Sequence, residues 1–279
     1  MKTRGWILVT NDDGVDSPAL VPLLRELSRI GEARAVVPVE ECSWTSKIMS
    51  RFRKLRVDRV DREGFDVWTV DGYPADCANL GVHSLFDEPP VLVVSGINMG
   101  SNAGLAFFLS SGTIGAAVEG VLGGIPSAAF SVQMEEADYT RWRRFRAVSP
   151  NVDGLLDRAA VVAREIVEEL LRGGLPGNAS MVSVNMPPNT TPRTPRRLTG
   201  MTPTGYGSYF ARREGRYVYC FSGLEVRGGD AEGDLAVLER GEVAITPVGF
   251  SLDVDPTPED RRRFERSGKG SEGGEGLEE

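Results

Sequence analysis

Apolar runs and helical patterns alternate along the first two thirds of the chain. Residues 6–10 predict a buried strand, and residues 17–31 predict a helix with Ser17 as its N-cap. Pro22 lies inside that segment, so we expect an irregular first turn or a later start. Residues 33–38 predict a second strand, which completes a strand, helix, strand unit with parallel strands.

The same alternation continues to about residue 190. Two strands, KLRVDRV and FDVWTV, flank the turn DREG and predict a hairpin, and the apolar run before SGIN predicts a parallel core strand. The other predicted elements are helices at 74–86, 113–124 and 153–171, and strands at 127–132 and 181–189. This order indicates an α/β fold with a doubly wound, mostly parallel sheet.

The character of the chain changes near Thr190, where Pro, Thr, Gly and short strands such as RYVYCF and EVAITPV take over. We therefore predict a catalytic core at 1–189 and a β-rich extension or arm at 190–255, whose final strand can return to the core. Residues 256–279 form a C-terminal segment, and its Gly- and Glu-rich tail from Ser267 is predicted to be disordered.

Composition narrows the class of protein. With 279 residues, 41% of them hydrophobic, the chain can bury a sizeable core. The net charge of −8 argues against binding a nucleic-acid polymer, so any phosphate must be held locally. The three cysteines form no CxxC pair, and no apolar run is long enough for a signal peptide or a membrane span. These features predict a cytoplasmic protein.

The candidate chemistry lies in the loops that follow three predicted parallel strands, because ligands of such sheets bind beyond the carboxyl ends of the strands. These loops carry hard oxygen donors: Asp12, Asp13, Asn98, and either Ser43 or Ser46. Such a set suits Mg²⁺, Mn²⁺ or Ca²⁺. Two adjacent carboxylates repel each other unless a cation compensates them. A plain solvated turn is the alternative interpretation of the DDG sequence.

A second candidate feature precedes the predicted helix at 113–124. Its residues offer hydroxyls and backbone N–H groups at the positive end of a helix dipole: Ser110, Ser111, Gly112 and Thr113. They predict an anion cradle, although an ordinary cap on a buried helix would have the same sequence. A cation and an anion cradle at one sheet edge would together form a phosphoryl site.

Five motifs occur in a characteristic order: ILVTNDDGV, GYPADC, SGINMGSNAG, SGT…AAVEG…GIP and VAITP. Over residues 6–250 they resemble the SurE family of metal-dependent nucleotidases, the survival-protein acid phosphatases. The resemblance implies a Rossmann-like fold and hydrolysis of nucleoside 5′- or 3′-monophosphates with one divalent cation per subunit, Mg²⁺ or Mn²⁺. It also implies a homodimer built partly from exchanged C-terminal segments, with a tetramer left open.

The resemblance assigns roles to individual residues. The implied metal ligands are Asp12, Asp13, Ser43 and Asn98, with Ser46 as the alternative to Ser43. The implied catalytic residues are Asn11, Asp12 and Asp13. The implied phosphate-binding residues are Asn102, Ser111, Gly112 and Thr113.

Two segments depart from the family pattern. Trp44 follows Ser43 where the family has glycine. Between Asn102 and Ser111 the family carries acidic residues and a tyrosine, whereas this chain reads AGLAFFLS and is one residue longer. The base preference and the choice between 5′ and 3′ substrates are therefore left open.

The remaining residues exclude several mechanisms. The single histidine, His83, is expected to be a packing or surface residue, which argues against histidine phosphatases and Ser-His-Asp hydrolases. Cys42 is interpreted as a loop residue. A haloacid-dehalogenase-type phosphatase would need a second aspartate two residues after Asp12, where Gly14 stands. A phosphate or nucleotide sensor without turnover is the non-enzyme alternative. We expect attack by water, with either Asp12 or Asp13 orienting it.

Overall fold

The computed structural model describes residues 5–145, 147–221, 223–229 and 231–266. The chain divides into two compact units, Met1–Gly249 and Phe250–Glu279. The second unit contains one short described helix, which Thr257 caps. The tail from Ser267 lies outside the described residues. The predicted boundaries at residues 190 and 256 stay predictions.

Alternating strands and helices form the first unit. The strands are β1 (Trp6–Thr10), β2 (Glu32–Pro38), β3 (Val57–Arg62), β4 (Phe65–Val70), β5 (Leu92–Met99), β6 (Ser127–Val132), β7 (Met181–Met186), β8 (Arg196–Leu198), β9 (Thr204–Gly205), β10 (Phe210–Arg213), β11 (Arg216–Tyr219), β12 (Glu225–Val226) and β13 (Val243–Val248). The helices are α1 (Leu20–Leu27), α2 (Pro74–His83), α3 (Leu105–Ser110), α4 (Gly112–Leu122), α5 (Glu136–Phe145), α6 (Pro150–Gly173), α7 (Asp234–Glu239) and, in the second unit, α8 (Pro258–Phe264).

Nine of the described strands form one sheet in the order β3-β4-β2-β1-β5-β6-β7-β13-β8. The strands from β4 to β7 in that order are parallel, whereas β3 and β13 run antiparallel to their neighbours β4 and β7. Both faces are covered, because Ile7 and Val9 pack in one core with α1 and α6, and Trp6 and Leu8 pack in another with α2. The predicted doubly wound, mostly parallel α/β fold is confirmed.

The start of α1 corrects one prediction. Ser17 is not the N-cap, because the helix begins at Leu20 after Ala19 and has no side-chain cap. Pro22 explains the late start: it stands in the first turn, where the backbone N–H groups have no partner within the helix. The later start that Pro22 predicted is confirmed.

Residues 190–249 add two strands, β8 and β13, to the nine-stranded sheet and also form two small separate sheets. β13 lies between β7 and β8 in the nine-stranded sheet. β10 with β11, and β9 with β12, form separate two-stranded pieces. No helix among the described residues combines the length and the apolar character that crossing a membrane requires.

Candidate active site

Three loops that follow neighbouring strands meet at one edge of the sheet. β2, β1 and β5 are adjacent and parallel, so their carboxyl ends share that edge. The loops border a cleft of about 960 Å³. The four residues that the sequence nominated as metal ligands all line it: Asp12, Asp13, Ser43 and Asn98.

Asn11 shapes the acidic turn after β1. Its side-chain oxygen accepts a 3.2 Å hydrogen bond from the N–H of Gly14, and its side-chain nitrogen donates a 3.0 Å bond to the Gly14 carbonyl. Asn11 is buried and is not among the described residues that line the cleft. Both ends of its amide therefore hold the turn together, and its role in catalysis stays a prediction.

The first turn of α4 holds the side chain of Asp12 in place. Asp12 is only 6% exposed, and the Thr113 hydroxyl donates a 2.6 Å hydrogen bond to its Oδ1. Burial raises the pKa of Asp12, while hydrogen bonds from the Thr113 side chain and from the backbone of Thr113 and Gly112 lower it in part. A Cβ on Gly112 would lie 2.9 Å from Cβ of Asp12, so only glycine allows this approach.

Asp13, in the turn after β1, and Asn98, on β5, both line the cleft. Asp13 is 9% exposed, and its Oδ2 accepts a 3.4 Å hydrogen bond from the backbone N–H of Met99. The side-chain nitrogen of Asn98 donates a 2.9 Å bond to the carbonyl of Gly100, which fixes the orientation of its amide. Asn98 thus keeps an amide oxygen as its possible ligand atom.

Ser43 and Ser46 have different surroundings, although they lie three residues apart. Ser43 lines the cleft and donates a hydrogen bond to Glu41, which lines the same cleft. The hydroxyl of Ser46 donates a 2.8 Å bond to the carbonyl of Leu109, and its N–H donates a 3.1 Å bond to the carbonyl of Ser110. Ser46 therefore anchors the loop, whereas Ser43 lies in the cleft wall, and its role as metal ligand stays a prediction.

The loop after β2 is fixed to the helices behind it. Lys47 forms an ion pair of 2.6 Å with the buried carboxylate of Glu119 on α4. The same carboxylate accepts a 2.8 Å hydrogen bond from Asn79 on α2. Within this loop Trp44 has a φ of 60°, the left-handed conformation that glycine favours. The loop therefore has a glycine-like backbone here although the side chain is tryptophan.

Two residues of the predicted phosphate side line the cleft, and two lie behind it. Ser111 and Asn102 border the cleft. The Ser111 hydroxyl caps α4 by accepting a 3.1 Å bond from the N–H of Ile114, so the cap predicted from the sequence is present. Gly112 and Thr113 are buried against Asp12 and are not among the described residues that line the cleft. Their assignment to phosphate stays a prediction.

Sequence reasoning missed one wall of the cleft. It consists of polar and aromatic residues on and before α5: Gln133, Met134, Glu135, Glu136, Tyr139 and Trp142. The segment EADYTRWRRF has acidic residues in its first turn and basic residues later, which is the charge order that a helix dipole favours. That order could have predicted α5.

Two other sequence-based expectations concern residues near the site. His83 is exposed at the end of α2, as predicted. Cys42 donates its backbone N–H to the carbonyl of Asp12 at 2.7 Å. Burial, with the nearby charge of Asp12, raises the pKa of the Cys42 thiol to about 11, so it is not a reactive thiolate at neutral pH. The interpretation of Cys42 as a loop residue is confirmed.

The residues fit a hard divalent cation. Two buried carboxylates lie beside a hydroxyl and an amide, and all four offer oxygen, which Mg²⁺ and Mn²⁺ prefer. Among the described residues, no group of three or more His, Cys, Asp or Glu side chains is placed to hold a metal. The donor set therefore depends on Ser43 and Asn98 as well as on the two aspartates.

A mostly parallel α/β sheet with an acidic cleft at its carboxyl edge is a Rossmann-like fold, and comparison with known proteins shows the family. The family model for survival protein SurE matches residues 7–210. The chain therefore belongs to the SurE family.

Individual relatives agree over nearly the whole chain. The 5′-nucleotidase SurE of Methanocella arvoryzae is 33% identical over 252 residues, which cover 88% of this chain and 92% of the relative. That of Rhodopirellula baltica is 35% identical over 256 residues, covering 89% and 94%. The crystal structure of the SurE protein from Aquifex aeolicus superposes with a TM-score of 0.71 at 27% identity, covering 92% of this chain and 97% of that one.

Proposed function

We propose that this chain hydrolyses nucleoside 5′- or 3′-monophosphates to a nucleoside and inorganic phosphate, with one divalent cation bound by Asp12, Asp13, Ser43 and Asn98. As a member of the SurE family it is an enzyme of the 5′-nucleotidase and phosphomonoesterase class. The observation that carries the finer proposal is that all four oxygen ligands line one cleft together with Ser111 at the start of α4.

The buried carboxylates of Asp12 and Asp13 provide the negative charge that would bind the cation. Asp12 is oriented by Thr113 and Asp13 by the N–H of Met99, so both are placed before any substrate arrives. When bound, a divalent cation would supply positive charge that compensates these carboxylates and the phosphate oxygens. Preorganised groups of this kind lower the barrier because they need no rearrangement during the reaction.

The phosphate side would be formed by Ser111 and Asn102. The backbone N–H of Asn102 donates a 2.8 Å bond to Asn185, and its side chain donates a 2.8 Å bond to Ser131, so the residue is firmly held. Water attacks phosphorus and forms the new P–O bond, the ester P–O bond breaks, and one proton of the water ends on the leaving oxygen, which gives a nucleoside hydroxyl and inorganic phosphate. Asp12 or Asp13 orients the attacking water.

The experiment that tests this function is phosphate release from nucleoside monophosphates with and without chelator. EDTA should abolish release, and Mg²⁺ or Mn²⁺ in excess should restore it, because every proposed ligand is an oxygen. An Asn98→Ala variant should need more metal for half-maximal activity. Undiminished release in excess chelator would overturn the metal part of the proposal.

We also propose that the enzyme is a homodimer, built through the arm, and that it is cytoplasmic. The hairpin of β10 and β11 exposes several large apolar side chains: Phe210, Tyr217, Val218 and Tyr219. Exposed apolar groups on a short two-stranded piece favour pairing with another surface.

The free thiols of Cys42, Cys77 and Cys220 are consistent with a reducing compartment, which supports the proposed cytoplasmic location.

A further inference from the structure

The cleft is larger and less polar than a cation and a phosphate require. Its volume of about 960 Å³ lies in the range of sites for small organic ligands. Asp12, Asp13 and Asn98 mark one part of its wall. Another part consists of aromatic side chains from the loop after β2, from α3 and from the arm: Trp44, Phe107, Tyr219 and Phe221. The cleft can therefore hold both an anion and a flat apolar group.

Trp44 is the centre of this aromatic wall. Its ring lies 5.4 to 6.5 Å from five other rings, all in edge-to-face geometry: Phe107, Tyr206, Tyr209, Tyr219 and Phe221. Edge-to-face pairs at such distances are favourable beyond the area that they bury. The five rings hold the Trp44 side chain in place from several elements of the fold.

The position of Trp44 is unusual for a side chain that serves only packing. It remains 45% exposed although five rings surround it, and its backbone has a φ of 60°. A left-handed backbone costs a non-glycine residue on the order of 1–2 kcal/mol, so glycine would be easier to accommodate here. The residue also directly follows Ser43 in the cleft wall. A rigid, half-open indole is thus fixed beside the proposed metal site.

We propose that Trp44 is a specificity-determining residue that binds the base of the substrate by stacking, with Phe107, Tyr219 and Phe221 supporting it. The inference rests on the proposed nucleotidase function and names the residue of this chain that recognises the base of the substrate. Stacking uses the π-face that every base has, so the preference follows ring area, and purines bind more tightly than pyrimidines.

Two substrates that differ only in the base provide the test: adenosine 5′-monophosphate and ribose 5-phosphate. Trp44→Ala should lower kcat/KM for the nucleotide by roughly 5- to 150-fold, mainly through KM, because losing an aromatic stacking partner costs about 1–3 kcal/mol per base. The value for ribose 5-phosphate should stay within about twofold, and Trp44→Phe should retain most of the nucleotide preference.

Two further variants separate stacking from loop structure. Trp44→Gly removes the ring but suits the left-handed backbone, so it should reproduce the effect of Trp44→Ala. Phe52→Ala is the control, because Phe52 is a fully exposed aromatic residue of the same loop and is not among the described residues of the cleft wall. An equal loss on both substrates in the Trp44 variants would overturn the proposal.

The result also distinguishes this inference from the proposed function. If the wild-type protein releases phosphate from neither substrate, the proposed function fails, and binding of adenosine is measured by calorimetry on the same variants. Binding to the wild type that is lost in Trp44→Gly and kept in Phe52→Ala supports stacking without turnover. Absence of adenosine binding to the wild type would overturn the stacking role as well.

Discussion

The hydroxyl of Thr113 donates a 2.6 Å hydrogen bond to Oδ1 of Asp12, and this bond ties the first turn of α4 to the acidic turn after β1. Thr113 is completely buried, so its hydroxyl serves the carboxylate of Asp12. The start of α4, predicted to cradle a substrate anion, here stabilises an anion of the protein itself. We therefore propose that Thr113 positions Asp12, and its predicted contact with the substrate phosphate stays a prediction.

Replacing Thr113 should shift the pH dependence of activity. The Thr113 bond lowers the pKa of Asp12 against the larger effect of burial, so Thr113→Val should raise that pKa further. The acid limb of the kcat/KM profile should then move to higher pH, and Thr113→Ser should restore it. A uniform loss of activity at every pH, with no shift of the limb, would contradict this role.

Asp12→Asn should separate stability from activity. Burial raises the pKa of Asp12 above its usual value of 3.8, so the stability from this group is full below that pH and is lost as pH rises through the folded-state pKa. In EDTA at pH 7 the variant should melt above the wild type, by about 2–4 °C per kcal/mol relieved. Phosphate release should fall by at least roughly 10²-fold, about 2.7 kcal/mol of barrier.

Two measurements complete this test. The difference in Tm should shrink as the pH falls, because the wild-type carboxyl then becomes protonated and loses its buried charge. Added Mn²⁺ should stabilise the wild type and not the variant. Equal Tm values at pH 7 in EDTA would mean that the buried charge of Asp12 costs no stability.

Ser43→Ala and Ser46→Ala should have different effects. Ser43→Ala should weaken Mn²⁺ affinity and activity, since Ser43 lines the cleft with the aspartates. Ser46→Ala should leave Mn²⁺ affinity nearly unchanged and should reduce stability by about 0.5–1.5 kcal/mol, because its hydroxyl bonds the carbonyl of Leu109. Titration with Mn²⁺ and thermal melting check both. The opposite pattern would make Ser46 the ligand.

The arm should form the dimer contact. Light scattering at micromolar protein should give the mass of a dimer, and Tyr217→Lys should shift it toward the monomer, because a charge would replace an exposed apolar ring on β11. Leu122→Lys is the matched control. Leu122 is similarly exposed, but it lies at the end of α4, outside the arm. A monomeric wild type would refute the proposed assembly.

The sequence predicted the parts of the fold that local patterns determine. β1 and β6 begin and end where their apolar runs do, and the DREG turn joins β3 to β4 as expected. α5 was missed because its pattern is mostly polar. Ser17 was taken for a cap because the local sequence fits one, whereas Pro22 moved the start of α1.

Residue types alone predicted the kind of ligand atoms at the site, but not the contacts that the fold makes between distant residues. Adjacent aspartates and a strand ending in SGIN indicate oxygen ligands at one edge. The choice between Ser43 and Ser46 depended on contacts with α3, which spacing does not encode. The aromatic wall joins residues from position 44 to position 221, so no local pattern could have predicted it.

The pairing of β13 with β7 has a consequence for how this enzyme can diverge. Asn185 and Ala244 are partners across that ladder, and the chain between β7 and β13 contributes only β8 to the sheet. In topological terms, residues 187–242 are an insertion into a β-hairpin. Outside β8, which pairs with β13, this insertion can be lengthened, shortened or exchanged between relatives without a slip in strand register. Tyr219 and Phe221 belong to this insertion. Changes in the insertion can therefore alter the aromatic wall of the cleft while the acidic turn after β1 stays the same.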